Sequence, residues 1–235
     1  MADRKLEAVL CDLDDCLIPT TKFVNMAINA AMDAIMLEGI DVSRDKLFDT
    51  YMEVRKEYGS NSTKHLDITL EKLGIEKKRA NELIASALIR YHNLKVAVQP
   101  YPDVPGTLHT LKDGGYGLYI VTEGDSLKQW DKIKRAGFDS RLFRGVFITE
   151  DYKFQTKCSE FYKKAIEEMN VDPRYCLMVG DRVDKDIAHA RECGMNTIRV
   201  LTGKYKEEQY PNDADYIIPQ FSDILKKISE IEKKL

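Results

Sequence analysis

The apolar run Val9-Leu10-Cys11 stops on Asp12-Leu13-Asp14-Asp15, and carboxylates at the end of a buried strand restrict what a chain can become. Leu6, Ala8, Val9, Leu10 and Cys11 together make an apolar stretch of strand length. In an extended chain, side chains two apart share a face, so Asp12 and Asp14 can aim into one small space while Asp15 points elsewhere. Two carboxylates that close repel, unless a divalent cation or a shared proton offsets the charge. Open α/β sheets put their chemistry at the carboxyl ends of parallel strands. Taken alone, the segment reads equally well as a solvated Asp-rich turn, and its context has to decide.

That context alternates. Between Ile18 and Lys95 no strand pattern occurs. Phe23, Met26, Ala27, Ala30, Ala31, Ala34 and Ile35 recur at helical spacing towards Gly39. Ser43 can cap a second helix carrying Leu47, Tyr51 and Val54, Thr63 can open a third, and a fourth is expected from about 76 to 95. The Pro-rich segment from Pro100 to Gly106 closes this block. Beyond it, apolar runs at 117–122, 145–149, 175–180, 197–201 and 215–218 alternate with helical stretches at 104–112, 126–136, 159–169 and 186–192, before a C-terminal helix rich in Lys and Glu. Strands alternating with helices predict an α/β fold, a doubly wound parallel sheet covered on both faces. The expected organisation is a core over residues 1–18, an inserted all-helical cap over 19–98, and the core continued over 99–235.

Length and composition narrow the function classes. A chain of 235 residues, 43% hydrophobic and 32% charged, can bury one large core or a core with a smaller companion. The net charge is −3, with Lys and Arg interleaved among Asp and Glu, so no basic stripe marks a nucleic-acid partner. No apolar run is long enough to span a bilayer, and Glu7 interrupts any signal-peptide core, so no membrane partner and a cytoplasmic location are expected. Cys11, Cys16, Cys158, Cys176 and Cys193 contain no Cys-x-x-Cys pair, which favours reduced thiols over a zinc site. The Asn61-Ser62-Thr63 sequon has no meaning without secretion.

Three further polar signals are weak one at a time. Thr122 closes the second core strand and precedes Glu123-Gly124-Asp125; Lys157 sits just before a helix; Gly180-Asp181 through Asp186 ends another buried strand. A strand-end Thr is usually a turn residue, a lone Lys is usually solvated, and acidic turns are common. Right-handed crossovers, however, put all these strand ends on one edge of the sheet. The set is then chemically complete for phosphoryl transfer. It offers a carboxylate to attack phosphorus, a hydroxyl with backbone N–H groups and an ammonium to hold phosphate oxygens, and carboxylates for a hard cation such as magnesium.

The chain resembles the haloacid dehalogenase superfamily, in its phosphatase branch. Asp12-Leu13-Asp14-Asp15-Cys16 matches the family's first motif, Thr122 the second, Lys157 the third and Gly180-Asp181 through Asp186 the fourth, in order and over essentially the whole chain. The resemblance implies a Rossmann-like core, with the helical block as a cap that covers the phosphate site and sets the substrate. It implies Asp12 as nucleophile and Asp14 as acid to the leaving alkoxide, then base for water. Asp12, the backbone carbonyl of Asp14, Asp181 and Asp186 would serve a magnesium ion, Asp186 as ligand or as partner of surrounding waters. Thr122 and the N–H groups around Glu123 and Gly124 would hold phosphate, with Lys157 offsetting charge on phosphate and on Asp12. Two residues depart from the pattern: Cys16 stands where Thr or Val is usual, and Cys158 where Pro is frequent. Cys16 is expected to be a buried inert thiol.

The implied activity is magnesium-dependent hydrolysis of a small phosphate monoester through an aspartyl-phosphate, by a monomer or homodimer. A phosphomutase of the same superfamily, or a catalytically silent binding protein of the same fold, is the alternative. Asp14 and the Asp181/Asp186 pair argue against the dehalogenase branch, and phosphonate hydrolysis would need a cap lysine such as Lys22, Lys46, Lys56 or Lys64 to form a Schiff base. A signalling receiver module is much shorter and has no inserted cap. Tyr51, Arg55, Tyr58, Asn61, Lys64 and His65 are cap residues that could reach a leaving group, although packing or surface duty is the more common use of each.

Overall fold

The computed structural model describes residues 5–59, 62–95, 97–139, 141–210 and 214–235, so Asn61 lies outside the described residues. Six strands form one parallel sheet: β1 (Ala8–Cys11), β2 (Gly117–Thr122), β3 (Gly145–Ile148), β4 (Cys176–Gly180), β5 (Asn196–Val200) and β6 (Tyr216–Ile218). Their spatial order is β3-β2-β1-β4-β5-β6. The chain winds outward from β1 to β3, returns, and winds the other way from β4. The order therefore reverses between β1 and β4, where a doubly wound sheet opens a crevice at its carboxyl edge.

Every residue of β1, β2 and β4 is buried, as expected of central strands covered on both faces. Alternation then decides which residue meets which layer. Ala8 and Leu10, Tyr119 and Val121, and Cys176 and Met178 share one face, packed on Phe161, Tyr162 and Ala165 of a helix at Ser159–Met169 and on Ala190 of a short helix at Ala188–Glu192. Aromatic rings fill this layer: Phe161 meets Tyr152, Phe154 and Tyr162 edge-on at centroid distances of 5.7 to 6.0 Å. The same alternation sends Asp12, two residues beyond Leu10, towards the segment that precedes the Ser159–Met169 helix.

The helices number α1 (Thr20–Leu37), α2 (Arg44–Tyr58), α3 (His65–Lys72), α4 (Lys77–Lys95), α5 (Val104–Asp113), α6 (Ser126–Arg135), α7 (Ser159–Met169), α8 (Ala188–Glu192) and α9 (Ile224–Glu232). None of the described helices is long and apolar enough to cross a membrane. The chain divides into two compact units, Met1–Thr21 with Val98–Leu235, and Lys22–Ala97. The second is all-helical, with a core of its own from Ile28, Met32, Ile35, Leu47, Leu70 and Leu83. Ser43 caps α2 through its hydroxyl to the Lys46 N–H. Tyr51 and His65, considered above as leaving-group contacts, pack against each other inside this unit with ring centroids 5.8 Å apart, and His65 Nε2 pairs with the Gly59 carbonyl at 2.8 Å.

Two local features depart from the periodicity. The helix expected at 186–192 starts as a π-helical turn at Val183–Ile187 and becomes α-helical only at Ala188. The turn is wide because Ile187 N–H reaches the Arg182 carbonyl five residues back, and such turns recur where a fold must aim a side chain. The chain past β1 is not a plain loop either: Asp14 bridges Ile18, and the turn between them spans residues 15–17. After Leu13 the chain turns, with Leu17 and Ile18 N–H groups on the Leu13 carbonyl and Asp15 at φ 62°. Asp15 is buried, and its carboxylate accepts from the N–H and hydroxyl of Thr21.

The loop after β5 locks this turn. Thr202 Oγ1 donates to the Asp15 carbonyl, and Gly203, at φ 67°, lies so close that a Cβ there would overlap Asp15. Gly203→Ala should therefore lower stability by about 1–3 kcal/mol. Each such kcal/mol is worth roughly 2–4 °C in a chain of this size. A thermal melt with an unchanged midpoint would show that the loop is not bound to the Asp15 turn.

Candidate active site

The carboxyl edge between β1 and β4 gathers four of the residues named from the sequence. Asp12 N–H donates to the Val179 carbonyl at 2.9 Å, continuing the ladder one residue past β1 and fixing the Asp12 backbone. Lys157, immediately before the Cys158 cap of α7, sends its Nζ across to Asp12 Oδ1 and to Asp186 Oδ1, with the Val121 carbonyl at 3.4 Å. Asp12, Lys157, Asp181 and Asp186 are 4%, 4%, 2% and 0% exposed, so water screens none of these charges well. Asp186 can lie flat against the chain because position 180 is glycine: a Cβ on Gly180 would overlap its carboxyl group. The Arg182 N–H then donates to Asp186 Oδ2 at 3.1 Å.

Charge is unbalanced here. Asp12, Asp181 and Asp186 oppose the single ammonium of Lys157. Burial pushes the Asp12 carboxyl above its ordinary range; Lys157 pulls it back, and Asp186 and Asp14 push it up again. Burial likewise raises Asp181, with Asp12 and Asp186 adding to the rise. For Lys157, burial alone favours the neutral amine, but Asp12 and Asp186 more than offset that and hold the ammonium charged well beyond the usual Lys range.

A divalent cation would balance this site. One carboxylate oxygen each from Asp12, Asp181 and Asp186 lie within 4.8 Å of one another. Asp181 Oδ2 is buried with no hydrogen-bond partner among the described residues, a costly state for a polar oxygen. An all-oxygen, carboxylate-rich donor set suits a hard cation such as magnesium rather than zinc or copper. The residues present fit that ion.

The other named residues are placed differently. Asp14 stands on the turn, outside the three-carboxylate group, with its side chain one-third exposed. Thr20 Oγ1 and Lys132 Nζ hold it. Thr122 is buried at the end of β2, its hydroxyl donating to Gln129 Oε1 at 3.3 Å. Glu123 and Gly124, expected around the phosphate, have other engagements. The Glu123 carboxylate accepts from Thr156 Oγ1 and from the Lys157 N–H at 2.9 Å, and pairs with Lys185 at 3.4 Å. Burial would raise its pKa, but those hydrogen bonds and the Lys185 and Lys157 charges outweigh it and hold it below the ordinary range. The Gly124 N–H donates to Thr149 Oγ1 at 3.0 Å. The Glu123 carboxylate thus braces the Lys157 loop. Cys16 is buried, donates to the Val179 carbonyl at 3.6 Å, and burial drives its thiol far from ionising.

Sequence reading missed Lys132, Gln129 and Thr20. Gln129 and Lys132 lie three apart on α6, a spacing that shares a helix face, but nothing in the sequence tied that face to Asp14.

A protein-family model described as "Hydrolase: haloacid dehalogenase-like hydrolase" matches residues 6–194. The chain is 37% identical to a glyceraldehyde 3-phosphate phosphatase of Methanopyrus kandleri, over 92% of each chain. It is 33% identical to a protein of the same name from Methanocaldococcus jannaschii, over 97% of this chain and 99% of that one. Among solved structures, a haloacid dehalogenase-like family hydrolase from Xanthomonas campestris superposes with a TM-score of 0.74 at 18% identity, covering 98% of each chain.

The carboxylates make stability depend on pH in the metal-free protein. Unfolded, each Asp titrates near about 3.9. Folded, Asp12 and Asp181 keep their protons to higher pH, so over that interval the folded state binds more protons than the unfolded one. Stability must then fall as pH rises out of the ordinary carboxylate range. In chelator, the thermal midpoint should drop between about pH 5 and about pH 8, and the drop should be shallower in Asp181→Asn. Added magnesium should recover more at the higher pH. A slope that Asp181→Asn leaves unchanged would remove these carboxylates as its cause.

Proposed function

We propose that this chain, which belongs to the haloacid dehalogenase-like hydrolases and is a phosphatase of a small phosphate ester, works with magnesium through an aspartyl-phosphate on Asp12. The observation that carries the proposal is the buried Lys157 ammonium joining Asp12 to Asp186, beside an Asp181 oxygen that lacks a partner among the described residues. A nucleophilic carboxylate needs its approach to a phosphate dianion made electrostatically tolerable, and these groups supply that. We take the substrate to be a small phosphorylated metabolite, with a triose phosphate as first candidate, because the two curated relatives described above are named for glyceraldehyde 3-phosphate.

The chain's own residues divide the work. An Asp12 oxygen attacks phosphorus, forming a P–O bond as the bond to the leaving alkoxide breaks. The Asp14 carboxyl gives its proton to that alkoxide, which departs as alcohol. Asp14, now a carboxylate, takes a proton from water as that water attacks the phosphorus of phospho-Asp12. Inorganic phosphate leaves, the Asp12 carboxylate is restored, and Asp14 ends protonated as it began. With substrate bound, the Thr122 hydroxyl turns its proton from Gln129 Oε1 to a phosphoryl oxygen, and the Lys157 ammonium stays beside both Asp12 and the phosphate. Magnesium held by Asp12, Asp181, Asp186 and the Asp14 backbone carbonyl would compensate the phosphate's charge and polarise its P–O bonds. The same division of core and helical cap read from the sequence, 1–18 with 99–235 and 19–98, is part of this proposal.

Phosphate release from glyceraldehyde 3-phosphate, para-nitrophenyl phosphate and a panel of metabolite phosphates tests the reading. Turnover should require magnesium and stop in chelator. It should fall by at least about 10³-fold in Asp12→Asn, and strongly in Lys157→Met. Activity that survives in Asp12→Asn would sink the mechanism. A folded, magnesium-loaded protein inactive on every ester would favour a mutase or a silent homologue.

A further inference from the structure

We infer that Lys132 is a positioning residue for Asp14, holding the carboxyl group that trades protons with the leaving group and with water. The inference rests on the acid–base reading of Asp14 proposed above. The Lys132 ammonium donates to both Asp14 oxygens, at 2.7 and 2.6 Å, and to Gln129 Oε1 at 3.1 Å. Thr20 Oγ1 takes Asp14 Oδ1 from the other side, at 2.6 Å. Gln129 in turn accepts from the Thr122 hydroxyl at 3.3 Å and donates to the Glu123 carbonyl at 2.8 Å. One face of α6 therefore links the proposed phosphate donor, Thr122, to the proposed proton donor, Asp14. The helix is firmly seated: Asp125 caps it through the Lys128 N–H, Glu150 accepts from the Ser126 N–H, and Gln129 and Ile133 are buried.

The geometry matters because Asp14 has no such support of its own. It sits on a turn, one-third exposed, where a carboxylate would otherwise sample several rotamers. Proton transfer needs the carboxyl within hydrogen-bond reach of the leaving oxygen, and a misplacement of about 1 Å can cost roughly 10²-fold in rate. Lys132 and Thr20 fix the side chain on the turn, and Gln129 accepts from both Lys132 and Thr122. A Lys132 that only fastened α6 to the turn would lower stability without caring which ester is cleaved.

Leaving-group dependence separates these cases. Nitrophenolate departs with little help from an acid, whereas an alkoxide needs a proton. In Lys132→Met, kcat/KM for the best alkyl phosphate should fall about 10- to 100-fold. For para-nitrophenyl phosphate it should fall by less than about threefold. Lys132→Arg, which can also donate to both carboxylate oxygens, should recover most of the alkyl loss. Asp14→Asn, run in parallel, should show the same bias more strongly. No bias in Asp14→Asn overturns the acid–base reading, and this inference with it. Bias in Asp14→Asn but equal losses, or none, on both esters in Lys132→Met overturns the positioning role alone. Should Lys132→Met melt too low to assay, Thr20→Val must show a smaller bias of the same sign, and a folded Thr20→Val without it overturns the inference.

Discussion

The buried ammonium of Lys157, donating at once to Asp12 and Asp186, is the contact on which the rest of the site depends. Burial opposes charge on every one of these groups, and only their mutual proximity keeps Lys157 protonated. The arrangement is also incomplete in a useful way. Three carboxylates against one ammonium leave net negative charge in a place that water reaches poorly. That excess is what a divalent cation can neutralise. Stability and catalysis therefore meet at the same residues: without a cation Asp12 and Asp181 keep their protons to higher pH, and with one they become available as nucleophile and ligand.

The fold brings these groups together by few means. Strand alternation carries Asp12 to the face on which α7 packs, and Lys157 precedes α7, so a single helix–sheet contact brings the pair into reach. The reversal of winding between β1 and β4 opens the edge into which Asp12 and Asp181 project. Glycine at 180 and the π-helical turn beyond it let Asp186 approach the backbone and point back at Lys157. Glu123 acts one layer out, tying the end of β2 to the Lys157 backbone and to Lys185. The pieces come from the ends of three strands, β1, β2 and β4, and from the loop that leads into α7. A disturbance at any one of them should be felt at Lys157.

Much of this was legible in the sequence. Continuous apolar runs alternating with helical stretches pointed to the sheet, because buried parallel strands leave no other pattern. Asp12, Lys157, Asp181 and Asp186 could be named because each stands where an apolar strand or a helical stretch meets a loop. The exceptions have physical causes. Asp14 follows Asp12 by two residues, but the turn that begins at Asp15, closed by Ile18, Thr21 and Thr202, brings it partners that spacing alone does not name, Thr20 and Lys132. Sequence spacing also could not report that the Glu123 carboxylate accepts from Thr156 and from the Lys157 N–H, or that the Gly124 N–H donates to Thr149 Oγ1. Lys132 was invisible for a similar reason. A lysine on a charged helix looks solvated until the helix is docked.

In the proposed reaction Asp12 carries the phosphoryl group. Rapid acid quenching of the enzyme during turnover, with peptide mass spectrometry of the product, tests it directly, best in Asp14→Asn, where hydrolysis of the intermediate should be slow. One acid-stable, base-labile phosphoryl group is expected on the peptide bearing Asp12, present only with magnesium and absent from Asp12→Asn. A phosphoryl group trapped on another residue, or turnover with none trapped on Asp12 under any quench condition, would contradict it.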